Sequence, residues 1–213
     1  ASATSSRDHA LLLDCRSLQH MPIPISKDLA LVIIDSGVRR QLANSAFNDR
    51  RRECETVAEH FKIPALRDLS SEALEAEKAN LKPELYARAR HVLTEIARVE
   101  PMAVALAHGD TAALATIMRE SHASLRDHYE VTVPEVDSLA KVISTALGAG
   151  QAALGGVRMT GAGFGGCLVA VVRDSATDLV IEAVEKTYNS SADTPATAEI
   201  YSMAGGAREI TLR

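Results

Sequence analysis

The stretch Arg158–Cys167, RMTGAGFGGC, contains the pattern G-x-G-x-x-G, which in some proteins marks a dinucleotide-binding loop. A dinucleotide site needs a strand before the glycines, a helix that begins on them, and a parallel sheet that continues afterwards. Here the glycines are followed by the apolar, β-branched run Leu168–Val172, which is typical of a strand. The preceding residues, Gly155–Met159, are also extended in character. The stretch therefore predicts two antiparallel strands joined by a glycine-rich loop.

Such a loop can either form part of a phosphate site or serve only as a packed turn. Glycines accept positive φ angles and let another backbone or a phosphate come close, because they carry no Cβ. The loop has no P-loop lysine and no acid or base, so it can support a phosphate site but cannot carry out chemistry alone. The structural alternative is a tight turn packed on a neighbouring segment.

Composition limits the class of protein. The chain has 213 residues, of which 46% are hydrophobic, enough for one domain, or one and a part, with a real core. Aromatic residues make up 3% and the net charge is −5, which argues against a nucleic-acid partner. The sequence contains neither a long apolar run nor a charged-then-apolar leader, so we expect no membrane partner and a cytoplasmic location. The three cysteines are expected to be reduced and buried: Cys15, Cys54 and Cys167.

Short apolar runs predict strands near both ends of the chain, and helical periodicity lies between them. His9–Cys15 and Leu29–Asp35 are expected to be buried strands that form a hairpin or neighbouring pair, with a proline-containing segment between them. A further strand is predicted at Ala198–Met203, after a helix at about Ala176–Tyr188. Four earlier helices are predicted from apolar stripes: Cys54, Val57, Ala58 and Phe61; Leu85, Ala89, Val92, Leu93 and Ile96; Leu114, Ile117, Met118, Ser121 and Leu125; and Val136, Leu139, Ala140, Ile143 and Leu147.

Proline and glycine predict where these helices begin and end. Pro83 suits a first helical turn, and Pro101 is expected to end or kink that helix. Pro134 opens the last helix of the series and Gly148 closes it. The order of elements is ββ, several helices, ββ, α, β. This order predicts one α+β domain in which helices cover an antiparallel sheet.

The glycine hairpin also carries a family resemblance. RMTGAGFGGCLVAVV resembles the third signature of the GHMP small-molecule kinases. Four more blocks resemble, in order and spacing, the carboxyl-terminal half of galactokinases: DHALLLDCRSL, LVIIDSGVRRQLANSAFNDRRRECE, PALRDL and RESHASLRDHYEVTVPEVDSL. The resemblance implies that residues 1–213 form a GHMP kinase carboxyl-terminal domain with ferredoxin-like elements.

The resemblance also implies an activity. Galactokinases transfer the γ-phosphoryl group of ATP to the anomeric hydroxyl of galactose, with magnesium. The family's sugar clamp, phosphate loop, magnesium carboxylates and catalytic Asp match nothing in this chain, so no catalytic residue and no metal ligand is assigned to it. We expect the chain to be inactive without its amino-terminal ATP-binding domain. The face that packs on that domain should be apolar and favour self-association.

Two features are assigned to the ligand site by the resemblance. Gly161, Gly163, Gly165 and Gly166 match the hairpin at the phosphate side of the cleft, where a Cβ would displace the phosphate loop or force a forbidden turn. Phe47 stands where most of these enzymes have a Tyr whose hydroxyl contacts the sugar. Because Phe47 has no hydroxyl, a GHMP kinase that acts on a sugar other than galactose is an alternative interpretation. A sugar- and ATP-binding sensor without turnover is a further alternative.

Other polar residues are expected to have structural roles. Asp14 should be a hydrogen-bonded structural carboxylate inside a buried strand, not the family's catalytic Asp. The arginines at 50–52 should form a solvated or salt-bridged helix face. His122 and His128 lie six residues apart, about 240° around a helix, so they are not expected to bind a metal with Asp127.

Overall fold

The computed structural model describes residues 6–39, 43–202 and 204. It contains six strands: β1 (His9–Leu13), β2 (His20–Pro24), β3 (Leu29–Asp35), β4 (Gly155–Met159), β5 (Cys167–Arg173) and β6 (Thr197–Tyr201). It contains six α-helices: α1 (Ala43–His60), α2 (Ser71–Ala76), α3 (Pro83–His108), α4 (Thr111–Asp127), α5 (Pro134–Leu147) and α6 (Thr177–Glu182), the last continued by a π-helical turn, Ala183–Tyr188. None of the helices described is long and apolar enough to cross a bilayer.

Four of the strands form an antiparallel sheet in the order β4-β5-β3-β6. The central strand β3 pairs with β5 from Leu29 opposite Arg173 to Asp35 opposite Cys167. β4 and β5 also pair directly, so the glycine-rich stretch between them is the loop of a hairpin. The predicted α+β fold and the predicted hairpin are both confirmed.

Helices cover both faces of this sheet, because its strands alternate apolar residues between the two faces. On one face Val32 and Ile34 pack with α5 and α6. On the other face Leu29 and Val171 pack with Leu114 and Met118 of α4 and with the end of α3. The sheet is therefore the middle layer of the domain.

A separate apolar cluster joins α1 to the first half of α3. Val57 of α1, Leu74 of α2 and Ala89 of α3 are buried in this cluster, and Phe61 packs against it. The predicted stripe on α1 is therefore confirmed. The short helix α2 was not predicted, because six residues are too few to show helical periodicity.

The predicted pairing of the two amino-terminal strands is wrong. β1 pairs with β2 in a separate two-stranded ribbon, with Leu11 opposite Pro22 and His9 opposite Pro24. The two prolines are two residues apart, so their nitrogens, which have no N–H to donate, face the same side of β2. The first strand is half-buried and ends at Leu13, whereas both edges of β3 are occupied by β5 and β6.

Local signals predicted some element ends correctly and others wrongly. α5 begins at Pro134, ends before Gly148, and buries all five of its predicted apolar residues. Pro101 does not end α3, which continues to His108 and stops at Gly109 in the left-handed conformation. Pro101 is exposed, and α4 packs along this helix. The last strand ends at Tyr201, and Met203, which was predicted to lie in it, is outside the described residues.

All three cysteines are free thiols, and their burial differs from the prediction. Cys54 and Cys167 are half-buried, whereas Cys15 is exposed. Cys15 follows the half-buried ribbon strand β1 and is therefore not carried into a core.

Candidate functional site: the glycine loop and its seat

The loop between β4 and β5 is closed by a hydrogen bond from the backbone nitrogen of Thr160 to the carbonyl of Cys167, at 3.0 Å. All four predicted glycines have positive φ angles, between +82° and +112°. Phe164 also has a positive φ, +61°, which is uncommon for a residue with a side chain. The loop therefore needs glycine at most of its positions to keep this path.

Two segments of the same chain form the seat of the glycine loop. The Phe164 nitrogen donates to the Val131 carbonyl at 2.7 Å, and the Gly166 nitrogen donates to the Val38 carbonyl at 3.0 Å. A Cβ at Gly163 would lie 2.4 Å from the Val131 oxygen, and one at Gly165 would lie 2.7 Å from the Val38 oxygen. Both distances are shorter than real contacts, so glycine is required here for close backbone approach.

The four glycines do not share one environment. Gly163 and Gly165 are buried against the seat, while Thr160 and Gly161, at the start of the loop, are exposed. The steric role predicted for the loop therefore divides into two parts. The buried glycines fit the loop to its own domain, and the exposed start of the loop is the part that another group can approach.

Two arginines hold the segment just before Val131. The Arg88 side chain is 3% exposed, and it donates to Glu53 at 2.7 Å, to Glu130 at 2.7 Å and to the carbonyl of His128. Arg50 donates to the Tyr129 carbonyl at 2.6 Å and to Glu53 at 2.9 Å. These charge-assisted bonds join α1, α3 and the end of α4 behind the glycine loop.

Sequence reasoning missed this network. Arg51 and Arg52 are exposed and form salt bridges within α1, as predicted, with Glu55 and Asp49. Arg50 also forms a predicted kind of salt bridge, to Glu53, but its side chain is only 14% exposed and bonds to another segment as well, which was not predicted. One available signal was Arg88, which lies on the apolar face of α3, three residues after Leu85. A charge at such a position indicates a buried ion pair.

The remaining polar residues are not grouped into a metal site. His122 bonds to Asp137 at 3.0 Å, whereas His128 lies 3.4 Å from Ser124. Across the part of the chain that the structure describes, no three His, Cys, Asp or Glu side chains lie close enough to hold a metal ion. Asp14 has the predicted structural role, although it lies beyond β1: it pairs with Arg67 at 2.9 Å and remains partly exposed.

Phe47 lies near the start of α1 and is 44% exposed. The chain reaches α1 from Val38 through residues 40–42, which are outside the described part. Phe47 and the glycine seat are therefore connected through one short stretch of sequence. An exposed aromatic ring at this position is free to contact a ligand or a further domain.

A pocket of about 470 Å³ lies between the β1–β2 ribbon, α3 and α4. Its walls are mostly apolar and include Leu11, Ile23 and Met102. Ile96 and Val99 also line it and are nearly half exposed. Ile96 was predicted to be buried with the rest of its helix stripe. The apolar face expected for packing on an amino-terminal domain stays a prediction.

His91 is a buried titratable group in the centre of the helix layer. Its ring stacks on Tyr129, with 4.3 Å between ring centres, and its Nδ1 lies 2.9 Å from Ser124 Oγ. Burial lowers the pKa of His91 to about 4, with Arg158 and Arg98 acting in the same direction and Glu95 opposing them. The folded protein therefore holds this ring neutral.

Stability should consequently fall in mild acid. Between about pH 6.5 and about pH 4 the unfolded chain protonates His91 while the folded chain does not, so the unfolded state gains protons and is favoured. We expect the free energy of unfolding to drop on the order of 2 kcal/mol over this window. Urea unfolding at several pH values tests this. His91→Asn should flatten part of the slope, and an equal slope in the variant would contradict the assignment.

Comparison with known proteins agrees with this architecture. The family described as "GHMP kinases C terminal" matches residues 102–190. The Lactococcus lactis galactokinase, solved in complex with galactose, is 32% identical with a TM-score of 0.84 over 96% of this chain and 53% of its own. The L. major mevalonate kinase, solved with R-mevalonate, shares the fold at 14% identity and a TM-score of 0.56, over 92% of this chain and 50% of its own.

The chain thus spans about half the length of each of these proteins. The family match includes β4, the glycine loop and the Val131 segment on which the loop rests. The chain therefore carries the carboxyl-terminal domain of the GHMP kinases.

Proposed function

We propose that this chain is the carboxyl-terminal half of a galactokinase, which phosphorylates galactose at its anomeric hydroxyl with ATP to give galactose 1-phosphate. The observation that supports this most is the 32% identity to a galactokinase over 96% of the chain. The catalytic Asp, the phosphate loop and most of the contacts to ATP and magnesium are then supplied by an amino-terminal domain. This domain is the proposed partner of the half described above.

In this proposal the glycine loop forms one wall at the phosphate end of the site. Thr160 and Gly161, at the exposed start of the loop, would let phosphate oxygens approach the backbone, and no side chain of the loop carries a charge that repels them. Gly163 and Gly165 fix the loop on its own domain and so keep its exposed start in one place. Phosphoryl transfer depends on such positioning, because the transition state needs aligned groups more than covalent chemistry.

Magnesium is assigned to the other half. Mg²⁺ at such sites is held by one or two carboxylates together with substrate phosphates, and the resemblance places those carboxylates in the amino-terminal half. In this proposal the chain accordingly forms a wall of the site, where it orients and shields the reacting groups. We expect no turnover from these 213 residues alone, since they lack the parts that carry the chemistry.

Phe47 favours a second candidate, a GHMP kinase whose preferred sugar is not galactose. A Tyr hydroxyl at this position would donate to or accept from a sugar hydroxyl, and Phe cannot. If water takes the place of the missing hydroxyl, galactose remains a good substrate; if the sugar hydroxyl stays dry and unpaired, selectivity among epimers weakens.

The test uses the full-length gene product in a coupled assay of ADP release with galactose, N-acetylgalactosamine and arabinose. Turnover that is fastest on galactose supports the first proposal, and turnover that is fastest on another sugar supports the second. Binding of sugar and ATP without turnover would indicate a sensor instead and would contradict both.

Phe47→Tyr is the specific prediction for this site. Restoring the hydroxyl should lower the KM for galactose about two- to tenfold, the worth of one hydrogen bond, with kcat nearly unchanged. Phe61→Tyr, the same change at the far end of the α1 segment, is the matched control and should leave the KM unchanged. An unchanged KM in Phe47→Tyr would remove this residue from the sugar site.

A further inference from the structure

His122 lies on the buried face of α4, and both nitrogens of its ring have partners. It is 7% exposed. The backbone N–H of Met159 donates to Nδ1 at 3.1 Å, and Asp137 Oδ1 lies 3.0 Å from Nε2. Met159 is the last residue of β4, so this contact holds the chain where it enters the glycine loop.

The two bonds fix the protonation state of the ring. A backbone N–H can only donate, so Nδ1 must be the acceptor, and the single ring proton lies on Nε2 and is donated to Asp137. A charged ring would place a second N–H against that of Met159. Burial lowers the pKa of His122, Arg126 and Arg158 act in the same direction, and Asp137 opposes them. The ring is therefore neutral when the loop is in place.

Asp137 extends the contact to the seat of the loop. Its other carboxylate oxygen accepts from Thr132 Oγ1 at 3.0 Å. Thr132 follows Val131, whose carbonyl accepts from the Phe164 nitrogen at the buried side of the loop. One His–Asp pair therefore holds both the entrance of the glycine loop and the segment on which the loop rests.

We propose that His122 and Asp137 are positioning residues for the glycine loop, and that they set the affinity of the site for the phosphate end of ATP without touching it. This inference rests on the proposed function for its ligand and on the hydrogen-bond geometry for its mechanism. Loss of the Met159 bond should let the base of the loop move, while the sugar side, assigned to Phe47, should be unaffected.

Two substitutions separate the two bonds. Asn reaches the position of Nδ1, so His122→Asn keeps an acceptor for Met159 and loses the bond to Asp137. Gln reaches the position of Nε2, so His122→Gln keeps the donor to Asp137 and loses the acceptor for Met159. With full-length enzyme, His122→Gln should raise the KM for ATP about tenfold, the worth of a buried hydrogen bond, and His122→Asn about twofold or less.

The KM for galactose should change less than about twofold in both variants. His108→Gln, a change at an exposed histidine on α3, is the control and should have wild-type constants. Equal effects of the two His122 variants, or an equal rise in both KM values, would show a general loss of structure and would overturn the inference.

A second measurement is independent of activity, and its first part needs no variant. Nitrogen-15 NMR of the wild-type protein at neutral pH should show His122 with its proton on Nε2 and an unprotonated Nδ1; any other form overturns the proposal. Should the wild type prove inactive, the proposed function fails by itself. The Phe164 and Gly166 amide shifts then decide the inference, which predicts a large change in His122→Gln and a small one in His122→Asn.

Discussion

Arg88→Met is expected to lower the free energy of unfolding by about 3 kcal/mol, and the melting temperature by about 6–12 °C. The guanidinium is almost fully buried and bonds to two carboxylates and a carbonyl. Methionine fills much of the same volume but leaves the partly buried Glu53 carboxylate with one partner fewer. A buried charge left without its partner is the costly outcome, more than the loss of the attraction itself.

Urea unfolding followed by circular dichroism measures this effect. Arg51→Met is the control on α1, because Arg51 is 71% exposed in its ion pair with Glu55 and should cost less than about 1 kcal/mol. Adding Glu53→Leu to Arg88→Met should restore part of the stability, since the unpaired carboxylate is then absent. Similar losses in Arg88→Met and Arg51→Met would contradict the buried network.

Gly163→Ala should cost about 3 kcal/mol, which combines two effects. An alanine at a φ of +86° is strained by about 1–2 kcal/mol, and its Cβ would lie 2.4 Å from the Val131 oxygen. Because that atom belongs to the backbone, it cannot swing aside as a flexible side chain can. The loop or the Val131 segment must therefore shift, and the bond from Phe164 to Val131 should lengthen or break.

Gly150→Ala is the matched control, because Gly150 also has a positive φ, +65°, but a Cβ there would meet nothing within 4 Å. It should show only the conformational cost, about 1 kcal/mol. The difference between the two variants, measured by urea unfolding, isolates the close approach of the loop to its seat. Equal costs would mean that the loop yields freely and that the seat does not position it.

Local signals in the sequence predicted much of this fold. α5 has a proline at its start, a glycine after its end and a clean apolar stripe, so its bounds needed no information from elsewhere. The hairpin from β4 to β5 was equally local. Contacts between segments distant in sequence were predicted less well. The sequence predicts that β1 pairs with β3, whereas it pairs with β2. The prolines of the β2 segment argue against a strand, although a strand can accommodate them on one edge.

In the candidate site, too, local features could be predicted from the sequence and contacts between distant segments could not. The glycine loop was recognisable from its own residues, but Val131 and Val38, on which it rests, cannot be identified from a pattern within ten residues. Arg88 was missed for the same reason, since Glu53, His128 and Glu130 lie far from it in the chain and meet it only after the helices pack. In the sequence, such a long-range ion pair is indicated only by a charged residue on an otherwise apolar helix face.

The central position of β3 affects how the domain is made. β3 is synthesised well before both of its partners, because β5 and β6 begin more than about 130 residues further along the chain. At about 5–20 residues per second, the strand waits roughly 7–26 seconds with the backbone N–H and C=O groups of both edges unpaired. During that interval helices can cover its faces but cannot pair its edges, so nascent chains are most vulnerable to aggregation before the glycine hairpin is synthesised.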